Sequence, residues 1–468
     1  MKSATKILFS IILATGLVGS SSTSSLGAGD PTSLTLPQTP AMSGPVAAGA
    51  SAAGGFGPTN AAPSNLLKGS IGITEDQALN AALLAGPRAA WMRSQLGVSK
   101  AAIKQAWVLP NPALEFDNGY AEFSYRVGIA IPLEPPWKVF LRVNAAKENV
   151  GVTQLQLEQS LWNLRADTRR AYTELVIAEE AVVMMRDLAH LTRVLADAAA
   201  KKFSVGDVAK LDSFKAELAY QQADIEASQA ERRVIQAREQ LNIIMGRGEA
   251  SDLAIPKYSM FTTSDSVHME LLPDLSKPMP PLAQYIESGI NDRLETKIIR
   301  QEIVATKAGR KLAKGNIVPT GQMAFGYDRQ VNALPEPNYN RLYLMGSFPI
   351  PVFDRQQGEI ARLNATLTQL NMELSSQQNI IRGQIALAYR KVLNARENIR
   401  KYQASVLSQS DKVASLGRLS YKLGQTDITS ALNAQQSNIQ VRNQYLNEVL
   451  NYQLAFTELE QATGRMLQ

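Results

Sequence analysis

Apolar positions follow two different rhythms along this chain, and the switches between them divide it into elements. From Trp137 to about Phe203 there is no proline and a single glycine, Gly151. Apolar or small residues there fall at 3–4 spacing: Leu157, Leu161, Leu164, Ala171, Leu175, Ala178, Val182, Met185 and Ala189. That narrow stripe is a coiled-coil seam rather than the broad face of a globular helix. At 1.5 Å per residue such a helix reaches roughly 100 Å. A second long pattern covers about 357–421, with its seam at Ile381, Ile385, Ala388, Val392, Ala395, Ile399, Tyr402 and Val406. Shorter helical patterns follow each, Val208 to Met245 and Asp427 to Ala462.

Period two marks four short segments. Phe123, Tyr125, Val127, Ile129 and Ile131 alternate with Ser124, Arg126, Gly128 and Ala130, which predicts a strand with one apolar face. A shorter strand around Leu114 to Phe116 precedes it, joined through Asp117, Asn118 and Gly119, and Asn-Gly is a strong hairpin signal. In the second half Met323, Phe325 and Tyr327 alternate with small or polar neighbours, as do Leu342, Leu344, Gly346, Phe348 and Ile350. Helical patterns lead into each strand pair. One runs from the capping-box sequence at Thr74 and Gln77 to about Val108, reopened at Pro87, and the other from Leu282 to Asn316.

The order helix, strand, strand, long helix, turn, helix therefore occurs twice. Gly424 follows Gly206 by 218 positions, and Gly464 follows Gly246 by the same 218, the mark of an internal duplication. Glycine at the end of a helical pattern predicts a left-handed cap and a sharp turn. The reading divides the chain into a leader over 1–28 and an extended lead-in over 29–70. A first repeat over 71–246, a proline-rich linker over 247–281 and a second repeat over 282–468 follow.

Four strands cannot close a barrel, and an isolated hairpin is marginal. Helices this long also outrun what one domain can bury. A symmetric oligomer meets both demands, and three copies would supply twelve strands, enough to enclose a channel. The competing expectation is a small soluble β-layer, as in a periplasmic coiled-coil adaptor or scaffold.

Composition narrows the function. The chain has 468 residues, 45% of them hydrophobic and 19% charged, with a formal net charge of +6. No short basic patch points to nucleic acid. Cysteine is absent, which removes disulfides, thiolate metal sites and a lipidated cysteine. Lys2, Lys6 and the apolar run Ile7 to Val18 form a secretory signal with cleavage near Gly27 or Ala28. The lead-in is rich in Ala, Gly, Ser, Pro and Thr and has too little apolar surface to pack. The two histidines, His190 and His268, have no second ligand in pattern, and no nucleophile elbow, Walker or zinc-protease motif occurs. The expectation is a protein that is not an enzyme and uses no cofactor or metal.

From about Thr74 to Gly464 the chain resembles the TolC-type outer-membrane efflux proteins. The residues that carry the resemblance are Ile131, Pro132 and Leu133, the segment Ile350 to Arg355, the turns at Gly206 and Gly424, and the closing Gly246 and Gly464. The stretch Ile131 to Lys138 with Arg142 is similar to the heavy-metal branch, from which Pro135, Pro136 and Trp137 depart. The resemblance implies a fold that is mainly α with a small β part: a homotrimer with a twelve-stranded outer-membrane barrel continued by an α-helical tunnel across the periplasm. It implies a passive exit duct of a tripartite efflux or type I secretion system. The partners implied are a periplasmic adaptor, an inner-membrane transporter and outer-membrane lipid.

For such a duct the functional residues are those that dock or gate. Val205, Gly206, Leu423 and Gly424 at the turns are the expected adaptor-docking tip, with Phe203 and Tyr421 as packing anchors beneath it. Asp212, Asp207 and Asp427 are the candidate gate, because several copies of one acid focus the field at a pore mouth. For each of them helix N-terminal stabilisation is the competing role. The second-half acids usual in the resembled family, six and nine residues after the glycine, are here Ser430 and Asn433.

Overall fold

The computed structural model describes residues 72–118, 125–248, 251–256, 272, 277–330 and 339–467. The expected leader and lead-in, the hairpin residue Gly119, the strand residue Phe123 and the linker histidine His268 lie outside the described residues.

The first repeat opens on α1 (Glu75–Asn80), whose capping box is formed: the Thr74 hydroxyl accepts from the Gln77 N–H and the Gln77 side chain accepts from the Thr74 N–H. A π-helical turn, Ala81–Ala85, leads into α2 (Pro87–Trp107), with Pro87 in the first turn, where no N–H partner is needed. Strands β1 (Ala113–Asn118) and β2 (Tyr125–Leu133) follow, then α3 (Pro136–Ser204) and α4 (Lys210–Met245). The second repeat has α5 (Leu282–Asp292), α6 (Leu294–Gly315), β3 (Gly321–Gln330) and β4 (Tyr339–Ser347). It ends with α7 (Gln357–Lys401), a π-helical segment Tyr402–Val406, α8 (Leu407–Lys422) and α9 (Ile428–Thr463).

Helix α3 has 69 residues, a rod of about 100 Å. Its seam residues Leu164, Ala171, Leu175, Val182 and Met185 are buried, as are Ile381, Ile385, Ala388, Val392, Ala395 and Ile399 of α7. Helix α4 packs along α3, α9 packs along α7 and α8, and α3 and α9 join the two hairpins. The main core runs between these helices and takes in Leu253 and Ile255 from the segment after α4.

Two expectations need correcting. The pattern over Leu282 to Asn316 is not one helix: Arg293 is extended (ψ 132°) and separates α5 from α6. The backbone of Arg293 is where the end of α9 packs, since a Cβ on Gly464 would lie 3.0 Å from the Arg293 Cα. The second long helix is likewise interrupted by the π-helical segment at 402–406, which contains no fully buried residue.

The four strands form one antiparallel sheet in the order β1–β2–β3–β4, so the repeats meet at the β2–β3 pair. Pairing aligns side chains into rows. Phe116, Val127, Tyr327 and Leu342 form one apolar row, and Leu114, Ile129, Phe325 and Leu344 the next. All eight are exposed. The opposite face carries mainly small and polar residues, among them Gly128, Gly326, Ala130 and Ala324, together with Tyr343 and Met345 of β4. Among the described residues neither β1 nor β4 has a partner on its outer edge.

Candidate functional site at the paired helix turns

Each long helix stops in the same way. Gly206 has φ +79°, its N–H donates to the Phe203 carbonyl at 3.0 Å, and the Asp207 N–H donates to the Lys202 carbonyl at 2.9 Å. Gly424 has φ +74°, its N–H donates to the Tyr421 carbonyl at 3.0 Å, and the Gln425 N–H donates to the Ser420 carbonyl at 2.9 Å. Both are Schellman caps, which use up the last carbonyls of the helix and reverse the chain through a left-handed residue. Val205 and Leu423 stand before the glycines with 79% and 62% of their surface exposed. Around both glycines there is open space. Apolar side chains beside bare backbone are thus presented at the end of the rod.

Beneath the turns the repeats differ. Tyr421 is only 4% exposed and packs with Leu195, Ala196 and Ala199 of α3, Ala216 of α4, and Ile428 and Ala431 of α9. The Lys202 ammonium lies 4.8 Å from the Tyr421 ring centroid and donates to the Tyr421 carbonyl at 3.3 Å. Phe203 was expected as the matching anchor, yet it is 42% exposed. Tyr220 of α4 packs against the same cluster, and Lys202 rather than its neighbour Phe203 turns toward the Tyr421 ring.

Burial raises the Tyr421 phenol pKa, and the negative charges of Asp212 and Asp207 raise it further. Both aspartates therefore lie within electrostatic reach of one buried hydroxyl, whose oxygen has no hydrogen-bond partner among the described residues. Asp212 sits in the first turn of α4, 3.7 Å from the Lys215 ammonium. Lys215 in turn donates to the Thr429 hydroxyl at 3.4 Å, bridging α4 to α9. Asp427 caps α9, accepting from the Ser430 N–H at 3.1 Å and from the Ser430 hydroxyl. Those bonds hold its carboxyl below the usual carboxylate range. Ser430 is thus engaged in the cap, and Asn433 is exposed.

Farther from the tip, α3, α8 and α9 enclose a groove of about 490 Å³ lined in part by Asp187, Asp411, Arg418, Gln435, Asn438 and Arg442. Asp411 accepts from Asn438 at 2.8 Å and from Arg442 at 2.7 Å. The buried Gln435 carbonyl oxygen has no partner among the described residues. Sequence reading missed this groove, because scattered polar residues on an amphipathic helix look like a solvated face. His190 is exposed on α3.

At the other end of α3, Arg142 donates to the carbonyls of Ala106 (2.8 Å) and Val108 (3.0 Å) and to Glu134 (2.7 Å). It fastens the end of α2 to the exit of β2 and the start of α3. The buried Lys138 reaches the Thr320 hydroxyl at 3.4 Å, just before β3. The charged residues of the 131–142 stretch are thus corner braces between sheet and helices.

A sheet with an exposed apolar face, continued by two capped helical hairpins of this length, is the architecture of the TolC-type outer-membrane ducts. The outer membrane efflux protein family matches residues 89–247. The cobalt-zinc-cadmium resistance protein CzcC of Cupriavidus metallidurans is 23% identical over 374 residues, covering 79% of this chain and 85% of the relative. Among solved structures, the Campylobacter jejuni CmeC outer membrane channel superposes with a TM-score of 0.65 at 11% identity, covering 84% of this chain and 88% of that one. The open state of the Neisseria gonorrhoeae MtrE outer membrane channel gives 0.63 at 14% identity, over 84% and 90%. The chain is thus similar to the outer membrane efflux proteins in sequence over residues 89–247, and it shares the fold of outer membrane channels over most of its length.

Proposed function

We infer that this chain is the outer-membrane channel component of a tripartite efflux system, a passive exit duct and not an enzyme. It works as a homotrimer whose twelve strands close a barrel in the outer membrane and whose helices continue as a tunnel through the periplasm. The observation that carries this reading is the sheet: two complete rows of exposed apolar side chains on one face, small and polar residues on the other, and two open edges. A lipid-facing barrel segment has this alternation, and closure with further copies removes the edges. The helical flanks match. Leu211, Phe214, Leu218 and Ile225 on α4, and Val413, Leu416 and Leu419 on α8, are exposed apolar residues at the two sides of the helical layer.

The tip formed by Val205, Gly206, Leu423 and Gly424 docks a periplasmic adaptor, which couples the duct to an inner-membrane transporter. Bare backbone and exposed apolar side chains at paired caps suit tip-to-tip contact with another helical hairpin. Gating rests on Asp212 and Asp207 around Tyr421, while Asp427 serves as the cap of α9. The likeness to CzcC supports divalent metal cations as cargo, delivered by the transporter.

The test is biochemical. Wild-type protein should fractionate with outer membranes, need detergent for extraction and elute as a trimer. Cells lacking it should gain sensitivity to cobalt, zinc or cadmium. Recovery as a water-soluble monomer overturns the duct.

A further inference from the structure

The two hairpins of the sheet match each other residue for residue. Moving along the chain by 209 positions carries Pro110, Leu114 and Phe116 of the β1 region onto Pro319, Met323 and Phe325. Moving by 217 carries Pro132 of β2 onto Pro349. The pairing agrees: Leu114 faces Ile129 in the first hairpin, and the matching Met323 faces the matching Gly346 in the second. Between the hairpins β2 joins β3, with Ile131 opposite Met323 and Leu133 opposite Gly321. That junction shows how the sheet of one repeat receives the sheet of the next.

After the second repeat the strand stops early. β2 runs to Leu133 alongside β3, but β4 ends at Ser347, three positions short of Ile350, the match of Leu133. Phe348 and Ile350 are 61% and 82% exposed, whereas their matches Ile131 and Leu133 are half-buried and 45% exposed. Among the described residues β4 lacks the outer partner that lets β2 run its full length.

We propose that the β2–β3 junction is repeated between copies, so that β4 of one copy continues to Ile350 against β1 of the next. The same offsets set Phe348 opposite Leu114 of the next copy, Ser347 opposite Glu115, and Met345 opposite Asp117. The proposal rests on the trimeric barrel inferred above and adds to it the register of its seams.

Closure supplies an independent check, because strands in a barrel tilt and their register must climb around the ring. A charged row on the polar face runs from Asp117 through Arg126 and Asp328 to Arg341, each opposite the next. At the proposed seam Asp117 of the next copy meets Met345, four positions along β4 from Arg341, so the row does not close on itself. Three copies then give a stagger of about twelve residues, roughly 40 Å along the strands against roughly 58 Å around twelve strands. Those lengths set a tilt of about 35°, within the range of closed barrels. The faces agree as well. Phe348 extends the apolar row of Leu114, Ile129, Phe325 and Leu344, and a slip of one residue would exchange the two faces at the seam.

The chain has no cysteine, so introduced thiols report the seam directly. Full-length protein carrying Leu114→Cys and Phe348→Cys should, after mild oxidation of the detergent-purified trimer, run as covalent dimer and trimer on a non-reducing gel. The offset pair Phe116→Cys with Phe348→Cys should cross-link about tenfold less, because diagonal side chains lie beyond disulfide range. Equal or better linkage of the offset pair overturns the register. So does absence of linkage in both variants when gel filtration still shows trimers, and the duct reading survives that result. A wild-type monomer removes the duct reading itself. Wild-type trimers give a second measurement without thiols: amide hydrogen exchange over 348–350 should be slowed to within about tenfold of that over 131–133. Exchange over 348–350 at the rate of an open chain, in intact trimers, overturns the extension of β4.

Discussion

Arg169 of α3 donates to the Glu460 carboxylate of α9 at 2.6 Å, a contact between the two repeats across 291 positions of sequence. Arg165 reaches the same oxygen at 3.3 Å, and the other oxygen accepts the Leu467 N–H at 3.0 Å. Glu460 is almost fully buried. Removing one partner of a buried ion pair leaves uncompensated charge, at a typical cost of about 3–5 kcal/mol. Glu460→Gln should destabilise the fold toward the lower end of that range, because the amide still accepts hydrogen bonds. Denaturant titration of the detergent-solubilised protein measures it, and an unchanged midpoint would remove Glu460 from the clasp.

The neighbouring Glu75 behaves differently. Its carboxylate lies 3.1 Å from Arg169, yet burial raises its pKa against the pull of Arg169 and Arg165. A raised pKa means the folded state holds the proton more tightly than the unfolded chain. The favourable contribution is present below the ordinary value of 4.5 and is lost as pH rises through the folded value. Wild type should therefore lose stability relative to Glu75→Gln as pH rises from the ordinary value of 4.5 through the raised folded value. The opposite trend in thermal melts would show that the ion pair with Arg169 dominates.

The tip makes a separable prediction. Tyr421→Ala empties the seat shared by α3, α4 and α9, a large-to-small change of the kind that costs about 3–5 kcal/mol. Tyr421→Phe removes only a hydroxyl that has no partner among the described residues, so it should be close to neutral. If the seat keeps the periplasmic mouth shut, cells with Tyr421→Ala should admit a large antibiotic that wild type excludes, and cells with Tyr421→Phe should not. Equal exclusion by both variants would assign closure elsewhere.

Much of this architecture was readable from local rhythm. The seam from Ile381 to Ile399, the capping box at Thr74 and the four left-handed glycines each depend on residues close in sequence, and each is found where the pattern put it. What escaped depends on distant partners. The break at Arg293 goes with the packing of Gly464, 171 positions later. Tyr421 is buried among residues of α3, α4 and α9 while Phe203 stays exposed, a difference that the matching positions of the two turns do not reveal. Arg142 belongs to a familiar motif, but its acceptors at Ala106 and Val108 come from the end of another helix. The charged row from Asp117 to Arg341 exists only once β2 pairs with β3, and alternation within one strand cannot reveal that pairing.

Docking and folding can be separated at the exposed apolar residues of the caps. Val205→Asp and Leu423→Asp place charge on side chains that are mostly exposed, so trimers should form normally. If this surface docks an adaptor, export should nevertheless fail, because an apolar contact would be replaced by a desolvated charge. Metal resistance and trimer content, measured in the same cells, decide it. Normal resistance in the double variant would remove this surface from the docking site.

The exposed apolar rows predict an asymmetry between two adjacent positions of one strand. Leu344 lies in a complete apolar row with Phe325, Ile129 and Leu114, whereas Met345 aligns with Ala324 and Ala130 on the opposite face. Arginine on the lipid face of a barrel costs about 2–4 kcal/mol at the bilayer midplane, and less toward the interfaces. If the sheet forms the proposed barrel, Leu344→Arg should therefore reduce heat-resistant trimers in outer membranes, and Met345→Arg, on the opposite face, should reduce them far less. The contrast depends on the faces alone, since both variants carry the same charge one residue apart. Equal assembly of the two would mean that the sheet meets no lipid, and the barrel would fall with it.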